Sequence, residues 1–313
     1  MNRHMYNIAI FKNTMSSCVR DEYLKDMIHN SIKNQRVYRE NDKVENSERF
    51  SDETNELTTV TVTKNRTLEA AANHVKNDYY GKTVVLNFAD FYKPGGLVEA
   101  GSSAQEEALC RISTLYPCIT DKKMLDDFYT PHKRTNIDCL YNNDLIYTPD
   151  VVVFRKDDEE MNVLHYEDWY TVDVITCAAP NLRNTKIKDE QLFDIHKSRF
   201  MRILEIAKVN KADNVILGAF GCGAFKNDPY VVAHAAKEAM TEFLNNNPFA
   251  FKNIEFAVYC TPYDKSNYKA FSETFSEGFL DMSIEAENIE DYYDPYIFEE
   301  HFDEDRGDEE ENR

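Results

Sequence analysis

The residues best suited to chemistry are two consecutive acids, Glu106 and Glu107, preceded by Gln105. They stand where a helix should begin. Just upstream lie a Pro94-Gly95-Gly96 turn and an apolar strand, Val84-Val85-Leu86-Asn87-Phe88-Ala89. Consecutive side chains on a helix diverge by about 100°, so the two carboxylates are suited to different tasks. One can hold a substrate hydroxyl while the other transfers a proton. A helix N-terminus lowers a carboxylate pKa, and a bound diphosphate raises it by like-charge repulsion. A carboxyl poised between those influences is a candidate general acid.

A second constellation is Gly218-Ala219-Phe220-Gly221-Cys222-Gly223-Ala224-Phe225. Successive amides in a tight glycine loop before a helix make an anion nest. Phe220 and Phe225 could flank a ribose or a base. The loop lacks the Lys and Ser/Thr of a Walker loop, which argues against an NTP hydrolase of that type. Cys222 has no His near it in sequence, so it reads as a small buried residue rather than a nucleophile. No cluster of His, Cys and acidic residues suggests a metal, and no cofactor is expected.

These loops need elements to position them. Residues 1–35 carry a helical apolar stripe (Met5, Ile8, Phe11, then Leu24, Met27, Ile28). Residues 36–56 are polar and aperiodic and read as a connection. Thr58–Val62 alternates as a strand. Thr67 reads as the N-cap of a helix through Val75, and the strand Thr83–Phe88 follows. Tyr116–Asp138 is helical but broken. Strands are expected at 145–148, 151–154, 170–178, 214–218 and 254–259, with helices at 193–209, 228–245 and 268–279. Alternating strands and helices predict a three-layer α/β/α domain. In such sheets ligands sit beyond the carboxyl ends of the strands, and both special loops follow strands. The expected organisation is a helical extension (1–56), a catalytic α/β domain (57–280) and an acidic tail (281–313).

The chain has 313 residues and a formal charge of −20. Residues 281–313 hold 15 Asp/Glu and two Arg, a net −13, which leaves −7 for the rest. The acidity therefore belongs mostly to the tail, which reads as solvated and disordered. Such a charge disfavours direct nucleic-acid binding. Seven cysteines stand singly, with no CxxC pair, which argues for a reducing compartment and against a disulfide framework. No apolar run reaches the length of a membrane span, and the N-terminus lacks signal-peptide features. A monomeric protein is expected, cytoplasmic, with the nucleus as the alternative in a eukaryote.

The segments NFAD, KPGGLVEAGSSAQEEALCRISTLYP, IYTPDVVVFR, VDVITCAAPN and GAFGCGAFKNDP together resemble the bacterial-type poly(ADP-ribose) glycohydrolases. The resemblance spans roughly residues 5–280 and implies a macrodomain with a mixed sheet. It implies hydrolysis of ribose–ribose O-glycosidic bonds in poly(ADP-ribose), with the polymer or an ADP-ribosylated protein as partner. Glu107 would be the catalytic acid/base and Glu106 would bind the ribose hydroxyls at the scissile bond. Asn87, Gly95 and Gly96 would shape the distal ribose site, and Gln105 joins the substrate-binding residues. Gly221, Cys222, Gly223, Ala224 and Phe225 would cradle the diphosphate, with Phe225 packing on the ligand. A reader of ADP-ribose without hydrolysis, or a hydrolase of mono-ADP-ribose, are the alternatives. The family's glycine triplet departs here at its third position, which is Leu97. A position needing positive φ would force that loop to rearrange.

Overall fold

The computed structural model describes residues 2–44, 57–78, 81–135 and 138–276. The acidic tail lies outside the described residues, as do residues 45–56. Seven strands form one mixed sheet: β1 (Arg36–Tyr38), β2 (Thr59–Thr63), β3 (Thr83–Phe88), β4 (Leu145–Val153), β5 (Tyr170–Cys177), β6 (Asn214–Leu217) and β7 (Asn253–Ala257). Their order is β1-β4-β5-β3-β6-β7-β2. Strands β5, β3, β6, β7 and β2 run parallel, β4 runs antiparallel to β5, and β1 antiparallel to β4.

The helices are α1 (Arg3–Arg20), α2 (Glu22–Asn34), α3 (Thr67–Asn77), α4 (Gln105–Ile112), α5 (Leu115–Ile119), α6 (Lys122–Met124), α7 (Thr130–Thr135), α8 (Asp189–Val209), α9 (Pro229–Asn246) and α10 (Ser266–Ser276). A π-helical turn, Leu125–Tyr129, joins α6 to α7. Strand β3 is apolar on both faces because both are covered. Val84 and Leu86 pack with Phe200 and Ile203 of α8, Val232 of α9 and Phe271 of α10. Val85 faces the other way, with Leu68 of α3 and Leu109 and Ile112 of α4. The period of two puts Asn87 on the Val85 side, toward α4.

Four local features differ from the sequence expectation. Residues 36–38, read as connection, are an edge strand, too short to show an alternation. The first helical stretch breaks at Asp21, whose carboxylate accepts from Leu24 N at 3.0 Å and caps α2. The two strands expected at 145–154 are one strand with a register shift between Thr148 and Val151, where Asp150 takes φ 56°. Thr67 is the first helical residue rather than the cap. The start of α3 is held instead by Glu69, which accepts from Arg66 N at 3.1 Å, and by Asp157, which accepts from Leu68 N at 2.9 Å.

The N-terminal helices are joined to the layer that carries the acids. Asn7 Nδ2 donates to Gly101 O at 2.9 Å and to Ser103 Oγ at 3.0 Å. Thr14 Oγ1 donates to Arg111 O at 2.5 Å and accepts from Arg155 Nε at 3.0 Å. No described helix is long and apolar enough to cross a membrane.

Candidate active site

Loops 89–104 and 218–228 leave the carboxyl ends of the neighbouring strands β3 and β6 and share a cavity of ≈ 590 Å³. Its wall includes Gly96, Leu97, Gln105, Glu106 and Glu107 from the first loop and α4. Gly221, Gly223, Ala224 and Phe225 line it from the second.

The start of α4 is stitched to the end of β3 by Gln105. Its Oε1 accepts from Phe88 N at 2.9 Å. Its Nε2 donates to Leu86 O at 2.8 Å and Thr67 Oγ1 at 3.1 Å. Both amide hydrogens of Gln105 are thus spent on the protein, so its geometry suits positioning of the helix rather than donation to a ligand.

The two acids behind it differ in their surroundings. Glu106 is 3% exposed. Its Oε1 accepts from Gly95 N at 3.1 Å and Asn87 Nδ2 at 3.4 Å, and its Oε2 accepts from Asp90 N at 2.8 Å. Burial pushes its pKa well above the usual carboxylate range; the Asp90 N–H bond opposes this and the Glu107 charge adds to it. Glu107 is 6% exposed. Its Oε1 accepts from Leu97 N at 3.0 Å, and its Oε2 has no donor among the described residues. One carboxylate is fully engaged with its loop, while the other keeps an oxygen for a ligand.

The turn packed against the acids demands glycine twice. Gly95 has φ 72°, and a Cβ there would lie 2.6 Å from the Tyr116 ring. Gly96 has φ 55°, and a Cβ there would lie 2.6 Å from Glu107 Oε1 and 3.3 Å from Glu106 Oε2. Leu97 has φ −107°, so the third position of the triplet requires no left-handed backbone. Its side chain is 55% exposed, and leucine fits there without the rearrangement a positive φ would have forced. Asp90 shapes the loop by accepting from Tyr92 N and Lys93 N, both at 2.8 Å. Phe91 anchors it, stacked on His132 at 4.0 Å and on Tyr141 at 4.4 Å. His132 is in turn bonded to Asp144 at 2.9 Å.

In the second loop, Gly221 has φ 81°, and a Cβ there would meet Ala179 Cβ at 2.5 Å. The N–H groups of Gly221, Gly223, Ala224 and Phe225 have no acceptor among the described residues, the arrangement of an anion nest. A Cβ on Gly223 would meet nothing within 4 Å, so its backbone stands open to a ligand. The loop is held from behind by Asn227. Its Nδ2 donates to Pro180 O at 2.7 Å, Gly221 O at 3.0 Å and Phe225 O at 3.3 Å. His196 Nε2, 2.8 Å from Asn227 Oδ1, fixes the amide's orientation. Burial lowers the His196 pKa to about 3, so the ring is neutral and donates that proton.

The sequence expectations divide accordingly. Gly96, Gln105, Glu106, Glu107, Gly221, Gly223, Ala224 and Phe225 converge on the cavity. Asn87 and Gly95 lie behind Glu106 and do not line it. Cys222 does not line it either; burial pushes its thiol up, which suits neither nucleophile nor ligand contact. Phe220 is fully buried among Phe88, Phe200 and His196 and borders the cavity at its floor. Asn227, His196 and Asp157 escaped the sequence reading. A buried-side His196 on the stripe with Phe200 and Ile203 was the one available signal. Burial raises the pKa of Asp157, which also lines the cavity. Among the described residues no three His, Cys, Asp or Glu side chains gather to hold a metal ion.

The fold and cleft define a macrodomain with an acid pair facing an anion loop. The family described as "Microbial-type PARG, catalytic domain" matches residues 9–156. A crystal structure of poly(ADP-ribose) glycohydrolase from Thermomonospora curvata is 31% identical with a TM-score of 0.74, covering 86% of this chain and 99% of that one. The same enzyme bound to the inhibitor ADP-HPD is 31% identical with a TM-score of 0.72, covering 85% and 98%. The glycohydrolase from Deinococcus radiodurans in complex with ADP-ribose is 28% identical with a TM-score of 0.66, covering 80% and 96%. No curated protein matches by sequence. The chain belongs to the microbial-type poly(ADP-ribose) glycohydrolase family.

Proposed function

We propose that this protein hydrolyses the ribose–ribose O-glycosidic bonds of poly(ADP-ribose), with Glu107 as the proton-transferring group. The observation that carries the role is the asymmetry of the acid pair: Glu106 accepts from three donors, whereas Glu107 keeps Oε2 unengaged in the cavity. Glu107 Oε2 delivers its proton to the leaving ribose oxygen as the glycosidic bond breaks. The electron pair goes to that oxygen, leaving an oxocarbenium-like sugar. The carboxylate left behind takes a proton from the attacking water, which returns the acid and releases ADP-ribose. Glu106, rigid in its loop, is suited to hold the ribose hydroxyls. The glycine-loop amides receive the diphosphate, and Phe225 packs on the ligand. Gln105, Asn87 and Gly95 act by positioning α4 and Glu106.

Two carboxylates on opposite faces of a bond is the usual glycosidase plan. Here both acids come from one helix turn, so a single group serves as acid and then as base. Isolated cysteines support a cytoplasmic location, and the acidic sequence favours the polymer or an ADP-ribosylated protein over nucleic acid as partner; a monomer suffices for a cavity built from one chain. Incubation with poly(ADP-ribose) tests the reading. Release of ADP-ribose by the wild type, reduced by about 10²-fold or more in Glu107→Gln, is expected. ADP-ribose binding without release would make the protein a reader, and release from mono-modified targets alone would make it a mono-ADP-ribosyl hydrolase.

A further inference from the structure

The cavity is lined by four acids, Asp90, Glu106, Glu107 and Asp157, and by two cations, Arg66 and Arg183. A ligand carrying a diphosphate in every unit must enter against that balance. Arg66 is committed elsewhere, paired with Glu159 and lying 4.0 Å over the Tyr259 ring. Arg183 is not. Its Nε donates to Asn181 Oδ1 at 3.1 Å, and its guanidinium lies 5.6 Å from the centre of the Phe225 ring. It meets no carboxylate within ion-pair distance among the described residues. In this acid-rich chain Arg3, Arg39, Arg66 and Arg202 each pair with a carboxylate. Four of the five guanidinium N–H groups of Arg183 remain for another acceptor.

The segment that carries Arg183 is fixed to the anion loop. Leu182 N donates to Phe225 O at 2.9 Å, and Asn227 Nδ2 holds Pro180 O at 2.7 Å. The base of this arm is therefore rigid with respect to the open amides of Gly221, Gly223, Ala224 and Phe225, while its charged end is exposed to solvent at the Phe225 face. Neutral amides supply only partial charge. A guanidinium adds a full charge in a fork that fits phosphate oxygens.

We propose that Arg183 binds a phosphate of the substrate and sets the affinity for it. This rests on the poly(ADP-ribose) reading above. The phosphate belongs either to the ADP-ribose unit seated in the cavity or to the adjoining unit across the scissile bond. Both present the same chemistry to the side chain.

The test uses Arg183→Ala, Arg183→Gln and Arg183→Lys in the full chain, with unchanged melting temperature as the folding control. ADP-ribose affinity is measured by calorimetry, and kcat and KM on poly(ADP-ribose) at several salt concentrations. Arg183→Ala and Arg183→Gln should each weaken binding by roughly tenfold, with a shallower salt dependence of KM. Arg183→Lys should recover only the share of the loss that is due to charge rather than to the fork. The value of kcat should stay within about twofold, because the contact is to phosphate and not to the reacting atoms. Weaker ADP-ribose binding puts the contact on the seated unit; weakening confined to polymer KM puts it on the adjoining one. Wild-type binding and salt dependence in both Arg183→Ala and Arg183→Gln would overturn the proposal. So would a loss in Arg183→Ala that Arg183→Gln fully restores, since that is packing on Phe225. A wild type that neither binds ADP-ribose nor cleaves polymer would instead overturn the functional reading.

Discussion

Gly96 separates the chemistry from the stability of this fold, and Gly96→Ala exposes that separation. The new Cβ would lie 2.6 Å from Glu107 Oε1, roughly half an ångström or more inside an ordinary carbon–oxygen contact. The φ of 55° adds a left-handed penalty of about 1–2 kcal/mol for any residue with a Cβ. That penalty should lower the melting temperature by only a few degrees in a domain of this size, at roughly 2–4 °C per kcal/mol. The clash falls on the end of a side chain, so it is relieved by moving the carboxylate. Moving a catalytic group by about 1 Å costs on the order of 10²-fold in rate. The expected result is therefore a folded protein with kcat on poly(ADP-ribose) reduced by about 10²-fold. Leu97→Gly is the contrast, because φ at that position is already negative. Circular dichroism melts and initial rates of ADP-ribose release measure both quantities. A Gly96→Ala protein with kcat within twofold of wild type would refute the placement of Glu107 as the acid. A collapse of stability with no folded protein would refute the claim that the carboxylate yields to the clash.

Two further outcomes follow from the groups behind the glycine loop. Asn227→Ala removes bonds to three carbonyls and leaves His196 unpaired, so it should destabilise the fold by about 2–3 kcal/mol. It should also weaken ADP-ribose binding roughly tenfold by loosening the nest, measured by urea melts and calorimetry. The folded pKa of His196 lies near 3 against about 6.5 for the unfolded chain. The unfolded state then binds more protons in that window. Stability contributed by the neutral ring is present above pH 6.5 and is lost toward pH 3, by about 1.4 kcal/mol per unit. Urea midpoints from pH 7 to 4 should show this slope, and His196→Gln should lack its share of it.

The parts of this protein that were readable from sequence are those whose signal is local. Strand β3 is a continuous apolar run because both its faces are covered, and α8 and α9 show their stripes. The acid pair and the glycine loops stood out because glycine and charge are costly unless used. What escaped depends on partners distant in the chain. Asn227 looks like an ordinary residue before the Asp228-Pro229 helix start, and its meaning comes from His196, Pro180 and Gly221. Gln105 sits in the motif as though facing a ligand, yet its amide is spent on Leu86, Phe88 and Thr67. The three residues of β1 become a strand only because β4 offers a free edge. Leu97 was a question about φ, which one sequence cannot state and the backbone answers.

Gly101 carries a consequence for how such domains can be recombined. A Cβ there would come within 2.4 Å of His4 O, and Asn7 reaches across to Gly101 O and Ser103 Oγ. Helix α1 and the segment leading into α4 are thus cut to fit one another. Any side chain at position 101 would press on the backbone of α1, so the close approach depends on glycine there. The first twenty residues are not an appendage to be exchanged between relatives. A replacement for that leading helix keeps the seam only where it preserves the backbone position of His4 and the amide of Asn7.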